Sequence, residues 1–182
     1  MVGFRRWFGK KEEDEGPSYR EYTLATMEVG CLVDYDLKTW QVTGYNTYDY
    51  DGYITREWEL RAGSEVRFLE CEEDDGEASW TLTGKIELEQ IEEPVAQTIA
   101  RQDDPPEEIH FEGVTYRAGD SSSGLMYEGG QGEGRYFVVW GYEGEEDRVL
   151  FITQWGEHDF AAYAGEFVEE YQFTDILPRS GE

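Results

Sequence analysis

The chain is short of the residues from which active sites are most often built. Among 182 residues there are two histidines, two cysteines, and fifteen lysines and arginines against 42 aspartates and glutamates, a formal net charge of −27. A zinc site wants three or four His or Cys ligands at short spacing, and His110, His158, Cys31 and Cys71 are scattered. The two cysteines lie in apolar, strand-like runs, "VGCLV" and "RFLEC". They read as reduced core thiols, with a single bridge as the alternative. No stretch approaches the ~20 apolar residues of a membrane span, and no apolar segment follows the basic start, so neither a span nor a signal peptide is expected. Residues 1–16 carry four basic and four acidic side chains, so the whole imbalance belongs to residues 17–182. That body repels polyanions, and nucleic acid is excluded as its partner because affinity for phosphate backbones comes from clustered Lys and Arg.

What is present in quantity is ring and acid. A mean hydropathy of −0.72 weakens collapse, but 13 Tyr, nine Phe and six Trp supply large apolar areas to bury, which disordered chains lack. The acidity itself fits a solvated surface, a cationic partner or a saline cytoplasm.

Short alternating runs broken by Gly, Asp and Asn predict antiparallel strands. One series falls near residues 29–35, 39–47, 53–60, 66–72 and 78–84. A second falls near 109–117, 125–128, 135–142, 149–155, 159–165 and 170–177. "DYDGY" and "EDDGE" place Asp before Gly, the pair that takes the positive φ of tight hairpins. Between the series, "QIEEPVAQTIARQDDPPEE" has prolines at 94, 105 and 106 and reads as a connector with one or two helical turns. The expected fold is therefore all-β, antiparallel meanders forming a sandwich or barrel from two similar halves. Its expected organisation is a basic and aromatic tip with acidic linker (1–18), a first half (19–91), a connector (92–107) and a second half (108–182). "FLECEEDDGEASWTLTG" and "LFITQWGEHDFAAYAG" run in the same order to closing glycines Gly84 and Gly165, the basis for expecting an internal duplication.

"MEVGCLVDYDLKTWQVTGY", "REWELRAGSEVRFLECEEDDGEASWTL", "IHFEGVTYRAG" and "GEFVEEYQFTDILP" together resemble the microbial family described as domain of unknown function 4178, in the same order over roughly residues 27–178. Phe68-Leu69 stands where that family typically has Trp-Leu. The resemblance brings no catalytic residues; it implies accessories of envelope-stress systems and of polyamine-synthesis gene neighbourhoods.

No matched nucleophile and base emerge. "DSSSGL" (120–125) lacks a nucleophile elbow and reads as a turn. "GGQGEG" (129–134) lacks the Lys and following helix of a phosphate loop, and reads as a hairpin tip. No cofactor is expected. The richest constellation is "GYNTYDYDGY", where Tyr45, Tyr48, Tyr50 and Tyr53 alternate with Asp49 and Asp51 around one hairpin. Rings and carboxylates attract organic cations, so these six residues are a candidate site for an ammonium ligand such as a polyamine; cross-strand tyrosines that only stabilise a hairpin are the plainer reading.

The opening stretch "MVGFRRWFGKK" gathers Phe4, Trp7 and Phe8 at helical spacing, with Arg5, Arg6, Lys10 and Lys11 around them. Such a segment suits an anionic membrane surface, each nearby cation contributing on the order of 1 kcal/mol. The expected function is a non-enzymatic accessory domain docked at the cytoplasmic membrane face or on a membrane-associated stress-response protein, with a soluble cation binder as the alternative.

Overall fold

Turn chemistry sets the hairpins. Asp51-Gly52, Asp75-Gly76 and Glu112-Gly113 each have two successive positive φ values, the geometry whose twist matches that of the flanking strands. In a computed structural model, which describes residues 22–178, these turns and their neighbours separate eleven strands. They are β1 Leu32–Tyr35, β2 Lys38–Tyr50, β3 Tyr53–Ala62, β4 Glu65–Asp74, β5 Glu77–Ile86, β6 Glu108–Phe111, β7 Val114–Glu128, β8 Arg135–Glu143, β9 Arg148–Gly156, β10 Asp159–Val168 and β11 Thr174–Leu177; one helix, α1 Val95–Gln102, lies between β5 and β6. The β1–β2 turn has no glycine: Asp36 and Leu37 have φ of 47° and 60°, and Leu37 is fully exposed. Leu37→Gly is expected to raise stability in urea denaturation by roughly 0.5–1 kcal/mol, because relief of left-handed strain outweighs the chain entropy that glycine adds to the unfolded state.

The strands form one antiparallel sheet in the order β11-β1-β2-β3-β4-β5-β10-β9-β8-β7-β6, and β2 also pairs with β7. That extra pairing closes β2, β3, β4, β5, β10, β9, β8 and β7 into a ring of eight, the size whose interior holds one small ligand. Two long strands make the closure possible. β2 pairs with β1 near its start (Lys38↔Tyr35) and with β7 near its end (Asn46↔Glu128 to Asp49↔Leu125). Likewise β7 pairs with β6 near its start (Val114↔Phe111). Each long strand has a register shift between its two uses, at Val42/Gly44 and at Ala118/Ser121, and such bulges bend and twist a strand.

The β6–β10 series thus follows the element order of β1–β5, and the two meet at two seams, β2–β7 and β5–β10. Each seam holds a glycine where the backbones come close: a Cβ on Gly124 would strike the Asp49 carbonyl, and one on Gly165 would strike the Leu82 carbonyl. Both strands of the β5–β10 seam lead into a similar 3-10 turn. The Glu87 N–H donates to Gln90 Oε1 at 2.9 Å after β5, and the Glu169 N–H donates to Gln172 Oε1 at 2.6 Å after β10.

One face of the sheet is covered by two apolar cores. The first packs Trp58, Leu60, Leu69, Trp80 and Leu82 against Val33, Trp40 and the incoming Leu24 and Met27, each burial contributing on the order of 1.5–3 kcal/mol. Trp58 Nε1 donates to the Met27 carbonyl at 3.0 Å, so the ring's polar edge is not stranded. Cys31 and Cys71 belong to this core, both buried and unpaired. The second core packs Tyr142, Leu150 and Ile152 under Ile109, Val95 and Ile99. Val95 and Ile99, four apart, form the apolar face of α1. The connector is pinned over this core: Tyr142 OH donates to the Pro106 carbonyl at 2.8 Å, and Glu93 accepts the His110 backbone N–H at 2.7 Å.

Three local expectations are corrected. "DSSSGL" is no turn but mid-strand in β7, because Ser121, Ser122 and Ser123 find ladder partners in Trp140, Val139 and Val138 of β8. The expected strand at 109–117 is divided by the Glu112-Gly113 turn into β6 and β7. Residues 170–172 form a 3-10 turn ahead of β11 and not the start of a strand.

Candidate functional site

Alternation along the ring strands sends one set of side chains into the cores and the other into the ring. On β4, Leu69 and Cys71 join the first core while Phe68, Glu70 and Glu72 point inward; on β3, Trp58 and Leu60 face the core while Tyr53 and Glu57 point inward. The interior is a cavity of about 380 Å³ to which all eight ring strands contribute, within the size range of small-molecule sites. Its lining includes five carboxylates, Glu57, Glu70, Glu72, Asp120 and Glu143, and ten aromatic rings, without a Lys, Arg or His.

Glu57 and Glu70 are direct cross-strand partners on β3 and β4. Glu57 is 9% exposed. Its carboxylate accepts from Asn46 Nδ2 at 2.9 Å and from Tyr48 OH at 3.1 Å. Burial nevertheless holds its pKa above the usual range, against the pull of those two hydrogen bonds. Glu70 has no hydrogen-bond partner among the described residues. Burial first, then repulsion from Glu57 and Glu72, pushes its pKa to about 8. Two like charges facing each other across a ladder are destabilising, and a group so displaced inside a cavity marks a candidate site.

The rings form the remaining walls. Phe137 stands edge-on to Tyr48 and Tyr50 at 5.3 and 5.4 Å, and Phe68 edge-on to Tyr163 at 5.3 Å. Burial and the neighbouring carboxylates hold the Tyr48 and Tyr50 phenols well above their ordinary range, and burial, then Glu57, pushes Tyr163 to about 12. All three therefore remain neutral donors. Trp155 lines the cavity and carries the Arg135 guanidinium 4.6 Å from its ring centroid; Arg135 also pairs with Asp159 at 2.7 Å.

Three of the five carboxylates, Glu57, Glu70 and Glu72, stand on the first half, and Asp120 and Glu143 stand on the second. Across the first half, inward positions run Asn46, Glu57, Glu70, Thr81 by direct pairing; the corresponding row in the second half is Ser122, Val139, Thr153, Ala161. A row with two facing carboxyls thus stands opposite a row with none. Such a chamber suits a cation with an apolar body and repels anions. Among the described residues, no group of three or more His, Cys, Asp or Glu side chains is placed to hold a metal ion.

Of the hairpin residues read from the sequence, Tyr48, Tyr50 and Tyr53 line the cavity. Tyr45 does not: it packs against Trp58 at 5.6 Å on the core side. Asp49 accepts the Gly52 N–H at 2.6 Å in the turn, and Asp51 occupies the positive-φ turn position. Neither aspartate reaches the interior, since Asp49 has the opposite strand parity to Tyr48 and Asp51 lies beyond the strand. Of the carboxylates that do reach it, Glu57, Glu70 and Glu72 come from the next two strands, and Asp120 and Glu143 from β7 and β8. Phe4, Arg5, Arg6, Trp7, Phe8, Lys10 and Lys11 lie outside the described residues.

A family model covers residues 28–170, which include every strand of the ring. The chain belongs to the family described as domain of unknown function 4178. This family member is also similar to an uncharacterized protein of Aquifex aeolicus (strain VF5), 27% identical over 183 residues that cover 96% of each chain. No solved structure matches it. No helix among its described residues is long and apolar enough to cross a membrane.

Proposed function

We propose that the ring is a binding chamber for a small organic cation of the alkylammonium class, the polyamine type included. The observation that carries this reading is the facing pair Glu57 and Glu70 inside a ring-walled cavity that no cationic side chain lines. An ammonium group between them would satisfy the partnerless Glu70 and neutralise a repulsion the empty fold must bear, while the alkyl part lies against Phe68, Phe137 and Phe151. Binding needs no nucleophile and base, in keeping with a sequence that has none arranged. The shared element order supports the internal duplication inferred above; on that reading the acidic row is a specialisation of one copy.

Calorimetric titration with spermidine at about 0.15 M salt, where exposed charges are screened over ~8 Å, tests the site. Glu57→Gln and Glu70→Gln are each expected to weaken binding by at least about tenfold, near 1.4 kcal/mol. Glu145→Gln, on an exposed turn, is expected to leave it unchanged. Equal affinity in all three variants would mean that bulk charge alone attracts the ligand.

A further inference from the structure

Resting on the cation reading, we infer that the chamber holds two ammonium stations along β4 and therefore selects linear primary diamines over monoamines and quaternary ammonium ions. The first station is the Glu57 and Glu70 pair with Tyr48 and Tyr163; the second is Glu72 with Tyr50 and Tyr53. Glu70 and Glu72 are two residues apart on one strand and both face the cavity. Antiparallel strands rise about 3.4 Å per residue, so these stations are roughly 7 Å apart. An extended four- or five-carbon chain separates its terminal nitrogens by a similar distance.

The preference for primary amines comes from hydrogen bonding. A primary ammonium has three donors, and the cavity-lining group that lacks a partner, the Glu70 carboxyl, accepts. A quaternary ion has no donor and would leave it unsatisfied, at the cost of a buried polar group without a partner. A monoamine fills one station only. Its apolar end would then lie beside Glu72, so the second carboxylate contributes nothing.

Calorimetry on the unmodified protein with 1-aminobutane, tetramethylammonium and the α,ω-diaminoalkanes of three to eight carbons tests this directly. The expected result is an affinity maximum at four or five carbons, at least about tenfold above 1-aminobutane, with tetramethylammonium weakest. Glu72→Gln is expected to lower diaminobutane to the monoamine level while leaving 1-aminobutane unchanged, with circular dichroism reporting that the variant is folded. Monoamine binding as tight as diamine, or affinity that climbs with chain length without a maximum, would remove the second station and leave the cation chamber standing. Failure of every amine to bind would overturn the chamber itself.

Discussion

At pH 9 the Glu70→Gln protein unfolds at a higher temperature than the parent, and at pH 5 the two unfold together. This expectation follows from linkage. Burial, then Glu57 and Glu72, raises the folded-state pKa of Glu70 to about 8, whereas an unfolded glutamate titrates near 4.3. Between those values the folded state retains a proton that the unfolded state has released, so stability falls as pH rises from ~4.5 and stops falling once Glu70 ionises near 8. With allowance for water in the cavity, the lost stability is roughly 2–4 kcal/mol. Glutamine keeps the shape without the charge, so the variant escapes this loss and gains about 5–12 °C in Tm at pH 9. Glu57 carries a raised pKa as well, so it adds to the parent's loss of stability above the ordinary glutamate range. Thermal melts at pH 5, 7 and 9 check the effect; a difference constant with pH would show that the Glu57 and Glu70 repulsion is not what the substitution relieves. Together with the expected loss of spermidine affinity, the result would identify Glu70 as a residue held at the expense of the empty fold, as ligand sites often are.

Gly165→Ala lowers stability by about 2–4 kcal/mol, whereas Gly84→Ala changes it by less than about 1 kcal/mol. The two glycines sit one step apart on the same seam, in the pairs Gly165↔Thr83 and Ala164↔Gly84. Their surroundings differ in kind. A Cβ on Gly165 would meet the Leu82 carbonyl and the Thr83 Cα, both backbone, whereas one on Gly84 would meet the far end of the Arg67 side chain. A guanidinium can swing away by rotamer change, but a hydrogen-bonded strand can yield only by separating from its partner. Urea unfolding of the two variants makes the comparison at constant chemistry, alanine for glycine in one ladder. Equal costs would mean that seam closure does not depend on close backbone approach at Gly165.

Much of the fold was legible because turn residues and side-chain alternation are local. Asp-Gly pairs at 51–52 and 75–76 marked hairpins correctly, and the alternation of Leu69 and Cys71 with charged neighbours marked β4. Ring closure was not legible, since nothing near Asn46 or Glu128 announces that these residues pair. That pairing also decides the site. "REWEL" and "RFLECEE" read as strands with one apolar and one solvated face, and an inward glutamate in a closed ring has the same local pattern as an outward one in an open sheet. Tyr48 and Tyr50 were found by their aromatic density, but parity assigned Tyr45 and Asp49 to the other side. Ser121–Ser123 misled because hydroxyl-rich segments favour turns in isolation, while β8 supplied a complete ladder.

The pairing of Leu32 with Leu177 has a consequence for synthesis. At ~5–20 residues per second, β1 leaves the ribosome on the order of 10 s before its β11 partner. For part of that interval β2 also lacks β7 and β5 lacks β10, leaving sheet edges open to neighbouring chains. Lowering the expression temperature weakens association between such apolar edges, so it is expected to favour soluble yield.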